Sequence, residues 1–185
     1  NKHSTPYTLG TRESMLRNET GYMQPVTVRN LELTTDTNCG EYAGVFNMSK
    51  PTQISTAINL GGSTDVSVVC WLYLQSGSTA FTDNALYCVL SGTAISLYAY
   101  GRANTWLYTP SCLTENAWNH VAVVYSATER VVYVNGIEIA KDTISGTFDA
   151  RSSLDIGFGT STTRGFNGKI SDFRVYRTAL SAEDV

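Results

Sequence analysis

Charged side chains are scarce in this 185-residue sequence: Asp, Glu, Lys and Arg make up 16% of it, whereas apolar residues make up 42% and tyrosine occurs 11 times. Surface helices need Lys, Glu and Arg, so this composition favours strands and extended loops. Because no stretch approaches the roughly 20 apolar residues of a membrane span, no membrane insertion is expected. The net charge of −3 argues against the basic surface that nucleic-acid binding requires.

The four cysteines, Cys39, Cys70, Cys88 and Cys112, form no CxxC pair and no Cys/His cluster, which argues against a zinc site. Cys70 and Cys88 lie inside apolar runs typical of strands, and they would fall nearly opposite each other if those runs formed one hairpin. Buried free thiols that act as small apolar side chains are the expected state. Disulfides are the alternative, and the sequence does not choose among the three two-bridge pairings.

Short strand-like runs recur with turn residues between them, which is typical of a β-sandwich or barrel. The clearest runs are Val66–Leu74, Ala85–Leu90, Ile95–Tyr100, Thr105–Tyr108, His120–Ser126, Arg130–Val134, Ile137–Ala140, Leu154–Gly157 and Gly168–Tyr176. Asn135-Gly136 tolerates positive φ at both central turn positions and predicts a two-residue hairpin turn. Short helices are predicted only over residues 12–17 and from Ser181, a capping residue followed by acids. Residues 1–30 are polar and aperiodic and are predicted to form an N-terminal arm, with residues 31–185 as one compact β domain. Such an arm either covers the sandwich edge or packs on a neighbouring subunit as an assembly segment.

Four segments resemble, in the expected order, the laminin-G-like family of concanavalin A-like lectins and glucanases. They are the early strand Val66–Leu72 with its Trp, the W-x-H-V-A-x-x-Y strand Trp118–Tyr125, the Y-V-N-G hairpin Tyr133–Gly136, and the final strand with its exit, Phe166–Ser181. The resemblance covers about residues 31–185 and implies an all-β antiparallel sandwich with jelly-roll topology. The last segment also bears a lesser resemblance to versions of this domain in bacteriophage virion and tail proteins.

Two tryptophans and two polar side chains on these segments have expected positions. Trp71 and Trp118 are large apolar residues on separate strands, so we expect both to pack in the sandwich interior. His120 follows Trp118 on the same face and is interpreted as a structural histidine. Arg174 lies between two apolar residues, so it is expected to point away from them and to pair with a carboxylate at the sheet surface.

Catalytic patterns are missing. Related glucanases carry a Glu-x-Asp-x-x-Glu strand, and retaining glycosidases need two carboxylates about 5 Å apart, but this sequence lacks the motif and spreads its acids singly. Neither His3 nor His120 has partners at a spacing that indicates a Ser-His-Asp triad. We therefore expect that the protein is not an enzyme.

The resemblance also implies one calcium ion, held by an acid of the last strand, because hard cations bind carboxylate and carbonyl oxygens. The usual position of that acid is Ser171 here, and Asp172 follows one residue later. Since a shift of one residue turns a strand side chain to the other face, the sequence departs from the family pattern at this point. Asp172 is the candidate calcium ligand, and no other cofactor is expected.

One segment has the composition of a sugar-binding surface. Sugars stack an apolar face on aromatic rings and hydrogen-bond at their edges, so exposed aromatics beside amides and hydroxyls suit them. The predicted glycan contacts, grouped around one tight turn, are Tyr98, Tyr100, Arg102, Asn104 and Trp106. The alternative interpretation is that these aromatic residues fill the core or a subunit interface.

These features predict a non-catalytic carbohydrate- or surface-binding module on a virion, tail or extracellular appendage, located extracellularly or on a virion surface. Its expected partners are a glycan or cell-surface polysaccharide, further copies of itself, and other virion or appendage proteins. The alternative hypothesis is a structural protein, a capsid decoration or filament subunit without a glycan ligand of its own. The sequons at Asn18 and Asn47 predict glycosylation if the chain passes through a eukaryotic secretory route.

Overall fold

The computed structural model describes residues 7–9, 26–38, 42–102, 105–157 and 163–185. Within these residues the secondary structure consists of strands and turns, and no described segment is a helix able to cross a membrane. The strands are β1 (Tyr7–Leu9), β2 (Val26–Arg29), β3 (Glu32–Thr34), β4 (Ala43–Phe46), β5 (Gln53–Thr56), β6 (Val66–Leu74), β7 (Ala80–Asn84), β8 (Tyr87–Ser91), β9 (Ala94–Tyr98), β10 (Leu107–Ser111), β11 (Trp118–Tyr125), β12 (Glu129–Val134), β13 (Ile137–Thr143), β14 (Leu154–Gly157) and β15 (Gly168–Tyr176).

The strands form two antiparallel sheets. Sheet 1 has the order β13-β12-β11-β6-β15-β4-β3, and β1 also pairs with β15. Sheet 2 has the order β10-β9-β8-β7-β14-β5-β2. Strand neighbours are often distant in the sequence, as for β6 and β15, so the chain crosses repeatedly between the sheets. This is the all-β sandwich of jelly-roll type that the sequence predicts.

Two strands lie within the predicted N-terminal arm. β1 pairs with the second half of β15 in sheet 1, and β2 pairs with β5 at the edge of sheet 2. These parts of residues 1–30 therefore extend both sheets of the sandwich. A role of this segment in assembly stays a prediction, and the helix predicted over residues 12–17 lies outside the described residues.

The main hydrophobic core lies between the sheets. Alternate residues of each strand point into it, for example Leu72 of β6 and Val121 of β11 from sheet 1, and Leu97 of β9 and Leu154 of β14 from sheet 2. These side chains are all but inaccessible to solvent. Each fully buried Leu or Val contributes about 1.5–3 kcal/mol through removal of its surface from water.

Trp71 and Trp118 do not lie in this interior, so that expectation is wrong. In β6 the buried residues Cys70, Leu72 and Leu74 alternate with the half-buried Trp71 and Tyr73. Side chains at successive positions of a strand point to opposite faces, and the indoles take the outer face of sheet 1.

The outer face of sheet 1 is itself partly covered. After β15 the chain turns back over this face, and Leu180 packs against Ala122, Val124 and Tyr133. The backbone N–H of Leu180 donates to Ser67 Oγ at 3.0 Å. Apolar residues are therefore needed on both faces of sheet 1, and hydrophobicity alone does not tell which face holds an indole.

Two sequence-based predictions on local structure have opposite outcomes. Asn135 and Gly136 have φ of 52° and 77° and connect β12 to β13 with Val134 opposite Ile137, so the predicted hairpin turn is confirmed. The helix predicted from Ser181 is wrong: only one turn forms, in which Ser181 Oγ donates to the Asp184 carboxylate at 2.6 Å.

The cysteines that the structure describes, Cys70, Cys88 and Cys112, are free thiols. Cys70 of sheet 1 and Cys88 of sheet 2 lie in the main core, so they do not form one hairpin, and they act as small apolar side chains. Burial raises the pKa of the Cys88 thiol to about 12 and also raises that of Cys70. Cys39 lies outside the described residues.

Candidate functional site

A cluster of aromatic side chains covers one end of the outer face of sheet 2. In β9 the core residues Ile95 and Leu97 alternate with outward residues, and Tyr98 is one of them. Leu107 points inward from β10, so its neighbours Trp106 and Tyr108 point outward. Strand alternation therefore brings together four rings, which we call the aromatic surface: Tyr98, Tyr100, Trp106 and Tyr108.

The rings of the aromatic surface contact one another in a continuous series. Tyr100 meets Tyr98 edge to face with ring centroids 5.1 Å apart, and Tyr98 lies 5.1 Å from Trp106. Trp106 and Tyr108 are nearly parallel, with centroids 6.3 Å apart. Aromatic pairs at these separations stabilise each other by about 0.5–1.5 kcal/mol. The rings thus hold fixed positions before any ligand binds.

The aromatic surface is open to solvent at three of its four rings. Tyr100 is 39% exposed, Trp106 36% and Tyr108 67%, whereas Tyr98 is half-buried. Tyr87 lies beneath them on β8, in register with Tyr98 and 5.9 Å from Tyr100. Large exposed aromatic groups that are adjacent to one another are unusual on a soluble protein and mark a contact surface.

The predicted glycan contacts divide into three groups. The structure brings Tyr98, Tyr100 and Trp106 together on the aromatic surface, which is the arrangement that the sequence predicted. Arg102 does not join them, because it is fully buried. Asn104 lies outside the described residues.

Arg102 instead is part of the interior at the end of the sandwich. Its Nη1 donates to the Thr64 carbonyl at 3.2 Å and its Nη2 to the Ser126 carbonyl. The guanidinium also lies over the Phe148 ring, 5.4 Å from its centroid, and near Tyr125. A buried cation needs such partners, and they hold the two terminal nitrogens of Arg102 in a structural role, while its Nε has no acceptor among the described residues.

Two arginines from other segments approach the aromatic surface. Arg151, in the segment between β13 and β14, lies over the Tyr100 ring with Cζ 4.1 Å from the centroid. Arg164 lies over Tyr87 at 4.8 Å. Sequence reasoning missed Arg151 because it is far in sequence from the rings, and its segment is held beside them by the backbone N–H of Asp149, which donates to the Tyr100 carbonyl at 2.9 Å.

The structure also brings two carboxylates together that appear isolated in the sequence. Asp83 of β7 and Asp155 of β14 are register partners on the outer face of sheet 2. Arg164 pairs with Asp83 at 3.4 Å, and Ser55 and Ser153 donate to Asp155 at 2.7 and 3.0 Å. These partners offset the repulsion between facing like charges. At 1% and 3% exposed, neither carboxylate is open to a substrate.

Asp172, the candidate calcium ligand, lies in an irregular part of β15. It has φ of 49°, and the pairing with β6 shifts register between Ser171 and Arg174. The backbone of β15 therefore bulges at the acid. Arg174 Nε donates to Asp172 Oδ1 at 2.7 Å, which confirms that Arg174 pairs with a carboxylate at the sheet surface.

These surroundings do not fit a calcium site as they stand. The carboxylate of Asp172 faces a guanidinium, and the neighbouring Ser171 is buried, with its hydroxyl donating to the Tyr42 carbonyl at 3.1 Å. No group of three or more His, Cys, Asp or Glu residues is close enough together to hold a metal within the ranges that the structure describes. Calcium at Asp172 stays a prediction.

The opposite side of the sandwich has a shallow groove of about 430 Å³, lined by Trp71, His120, Asn135, Gly136 and Val185. The imidazole of His120 meets the Trp71 indole edge to face at 5.0 Å. Burial lowers the pKa of His120, so the ring is neutral at pH 7. The backbone N–H of His120 donates to Asn135 Oδ1 at 2.9 Å, and the structural role of the imidazole stays a prediction.

Of the predicted glycosylation sites, Asn47 is exposed, and its side-chain oxygen accepts from the backbone N–H of Ser49 at 2.8 Å. Asn18 lies outside the described residues. Modification at either position stays a prediction.

Several solved structures have the same fold. Domain 4 of AbnA, a GH43 extracellular arabinanase from Geobacillus stearothermophilus in complex with arabinotriose, is 21% identical, with a TM-score of 0.74 over 99% of this chain and 96% of that one. The binding domain of Paraclostridial Mosquitocidal Protein 1 is 13% identical, with a TM-score of 0.77 over 96% of this chain and 49% of that one. The binding domain of botulinum neurotoxin DC in complex with SialylT is also 13% identical, with a TM-score of 0.69 over 96% and 48%.

At these identities the structural likeness concerns the fold, and the chain spans about half the length of the two toxin binding domains. No curated protein sequence matches the chain. The Laminin_G_3 family model, described as the concanavalin A-like lectin/glucanases superfamily, matches residues 48–185, which is well over half of the sequence. The chain therefore belongs to the concanavalin A-like lectin/glucanases superfamily.

Proposed function

We propose that the protein is a non-catalytic carbohydrate-binding module of an extracellular or virion-surface protein, and that its glycan ligand binds on the aromatic surface. The observation that carries the proposal is the continuous series of exposed rings at Tyr100, Trp106 and Tyr108. A sugar ring presents an axial C–H face that packs on such rings, while its hydroxyls stay free to hydrogen-bond.

Two further observations support this proposal. Tyr98 lies in β9 and Tyr108 in β10, and the inward residues of these strands are anchored in the main core, so ordering the site on binding costs little conformational entropy. The arabinanase domain with the same fold was solved with arabinotriose, and a neurotoxin domain with SialylT, so glycans are ligands of proteins with this architecture.

The proposal includes the absence of catalysis. Asp83 and Asp155 are the carboxylates that face each other on this side of the sandwich, and both are buried and hydrogen-bonded. A general acid or nucleophile has to reach the glycosidic bond directly. We expect no release of reducing sugar from arabinan or from any polysaccharide that the protein binds.

Binding is tested on a glycan array that includes arabinan, followed by calorimetry with the best ligand. Tyr108→Ala and Trp106→Ala should each weaken binding by roughly twofold to tenfold through the loss of a stacking contact. Ile137→Ala is the matched control, because Ile137 is 65% exposed on the hairpin of sheet 1 and its loss should leave affinity unchanged. A folded protein that binds no glycan on the array, or variants that bind like the control, would contradict the proposal.

Self-assembly into a particle or filament is the second candidate. It is favoured by large apolar side chains exposed on the edge strands, Val28 on β2 and Leu33 on β3, at 44% and 39%. Exposed apolar edges promote pairing with a second chain. Light scattering tests this candidate by measuring the molar mass in solution. A monomeric mass at millimolar concentration, the same for Val28→Lys and Leu33→Lys, would exclude self-assembly.

A further inference from the structure

Arg151 is a cation at the aromatic surface whose charge has no carboxylate partner. Its guanidinium lies over the Tyr100 ring, with Cζ 4.1 Å from the centroid. Within the described part of the chain it forms no ion pair and donates no hydrogen bond, and its Nε is buried without an acceptor. The two terminal nitrogens of this half-buried side chain carry four N–H donors that no described residue uses.

Arg164 provides the contrast within the same site. It also packs over a tyrosine ring, that of Tyr87, at 4.8 Å. Its charge, however, is balanced by Asp83, a carboxylate that is 1% exposed and lies 3.4 Å from Nη1. A guanidinium can therefore pack on a ring here with its charge balanced, and of these two arginines only Arg151 lacks an acidic partner among the described residues.

A guanidinium over an aromatic ring is held in place by the attraction between its charge and the ring face. A guanidinium packed flat on a ring keeps its in-plane N–H donors available to another partner. Two such donors fit the two oxygens of a carboxylate or sulfate in a bidentate arrangement, which a hydroxyl of a neutral sugar cannot reproduce. The contact with Tyr100 and the unused donors together make Arg151 a candidate for binding an anionic oxygen pair.

Arg151 also has the right position relative to the exposed rings. It contacts Tyr100, Tyr100 contacts Tyr98, and Tyr98 contacts Trp106. An oligosaccharide with one sugar stacked on Trp106 can therefore extend along these rings and bring another of its sugars to the guanidinium.

We propose that the aromatic surface is selective for acidic glycans, and that Arg151 binds the carboxylate or sulfate of one sugar while another sugar of the same oligosaccharide stacks on Trp106. This inference rests on the proposed glycan-binding function and adds the chemical class of the ligand.

The test uses glycans that differ only in the acidic group. Calorimetry compares polygalacturonate with its fully methyl-esterified form and sialyllactose with its methyl ester for the carboxylate, and dextran sulfate with dextran for the sulfate. For at least one pair, the acidic member should bind roughly tenfold to a hundredfold more tightly, the effect of charge-assisted hydrogen bonds. That difference should shrink as NaCl is raised, because salt screens the charge.

Variants assign the preference to Arg151. Arg151→Gln should bring the acidic member down to the affinity of its neutral partner, without changing the affinity for the neutral one. Arg151→Lys, which keeps the charge but loses the planar fork, should retain only part of the preference. Arg29→Gln is the matched control: it removes one positive charge from an exposed position on β2, at the far edge of sheet 2, and should keep the full preference.

The outcomes separate the two proposals. Equal binding of acidic and neutral members, or a preference that survives Arg151→Gln, overturns the selectivity and leaves glycan binding standing. Absence of binding to every glycan overturns both. A preference for one acidic group over the other identifies whether the ligand carries a carboxylate or a sulfate and supports the inference either way.

Discussion

Arg102→Ala should lower the free energy of unfolding by about 3–5 kcal/mol. The substitution removes the donors to two carbonyls, those of Thr64 and Ser126, and each acceptor left unsatisfied in the interior costs about 1–3 kcal/mol. It also opens a cavity beside Phe148, which adds to the loss. Part of this loss in stability is offset because the variant no longer buries a charged group away from water. A domain of ordinary stability has about 5–15 kcal/mol in total, so the variant would be close to unfolding.

Urea unfolding followed by tryptophan fluorescence measures this loss as a shift of the midpoint at constant slope. Arg102→Met keeps most of the side-chain volume and should be less destabilised than Arg102→Ala, since only the hydrogen bonds and ring contacts are lost. Arg151→Ala is the comparison at the aromatic surface, and should cost about 1 kcal/mol or less for the contact with Tyr100. If Arg102→Ala kept full stability and lost glycan binding instead, the assignment of Arg102 to the interior would be refuted.

Three further predictions concern buried or crowded groups. The thiols of Cys70 and Cys88 should not react with DTNB at pH 8 until the protein unfolds, because burial raises the pKa of both. Labelling of either thiol in the native protein would contradict this prediction. Burial lowers the pKa of His120 below 6.5, so the unfolded state takes up the proton first and the free energy of unfolding falls as pH drops below about 6.5. Between pH 7 and 5 the free energy of unfolding of His120→Gln should therefore depend less steeply on pH, and identical slopes would refute this. Gly168→Ala should cost several kcal/mol in thermal denaturation, because a Cβ there would lie 1.9 Å from the Tyr73 carbonyl oxygen. The matched control Gly136→Ala, with positive φ but open space, should cost only about 1–2 kcal/mol, and equal losses would show that crowding is not the cause.

Local patterns in the sequence predict those features that depend on neighbouring residues. The hairpin at Asn135-Gly136 follows from the positive φ that both residues tolerate, and the outward position of Tyr98 follows from strand alternation. Trp106 and Tyr108 join Tyr98 because β10 pairs antiparallel with β9 and returns the chain along the same face. These are contacts within one hairpin, so the sequence contains all the information they need.

The features that sequence reasoning missed depend on pairing between distant strands. Trp71 was expected in the interior. Strand alternation shows only that its side chain points to the face opposite that of Cys70 and Leu72, and the outer face of sheet 1 is also apolar because the C-terminal segment packs on it. Asp83 and Asp155 face each other because β7 pairs with β14. Arg102 resembles a ligand-binding residue beside the rings, and its burial is decided by carbonyls on the segments around Thr64 and Ser126.

The aromatic surface borders a sheet edge whose strand resists pairing with another chain. β10 is the outermost strand of sheet 2 in the described residues, and Tyr108 on it is largely exposed. Pro110 lacks a backbone N–H, and the pairing of β10 with β9 shifts register between Tyr108 and Ser111. Proline and an irregular register on an edge strand both prevent the addition of a further strand. If β10 were a regular edge strand, a second copy of the chain could pair with it and cover the exposed rings. The irregular end of β10 therefore keeps Trp106 and Tyr108 open to a ligand, which argues for binding over assembly at this edge.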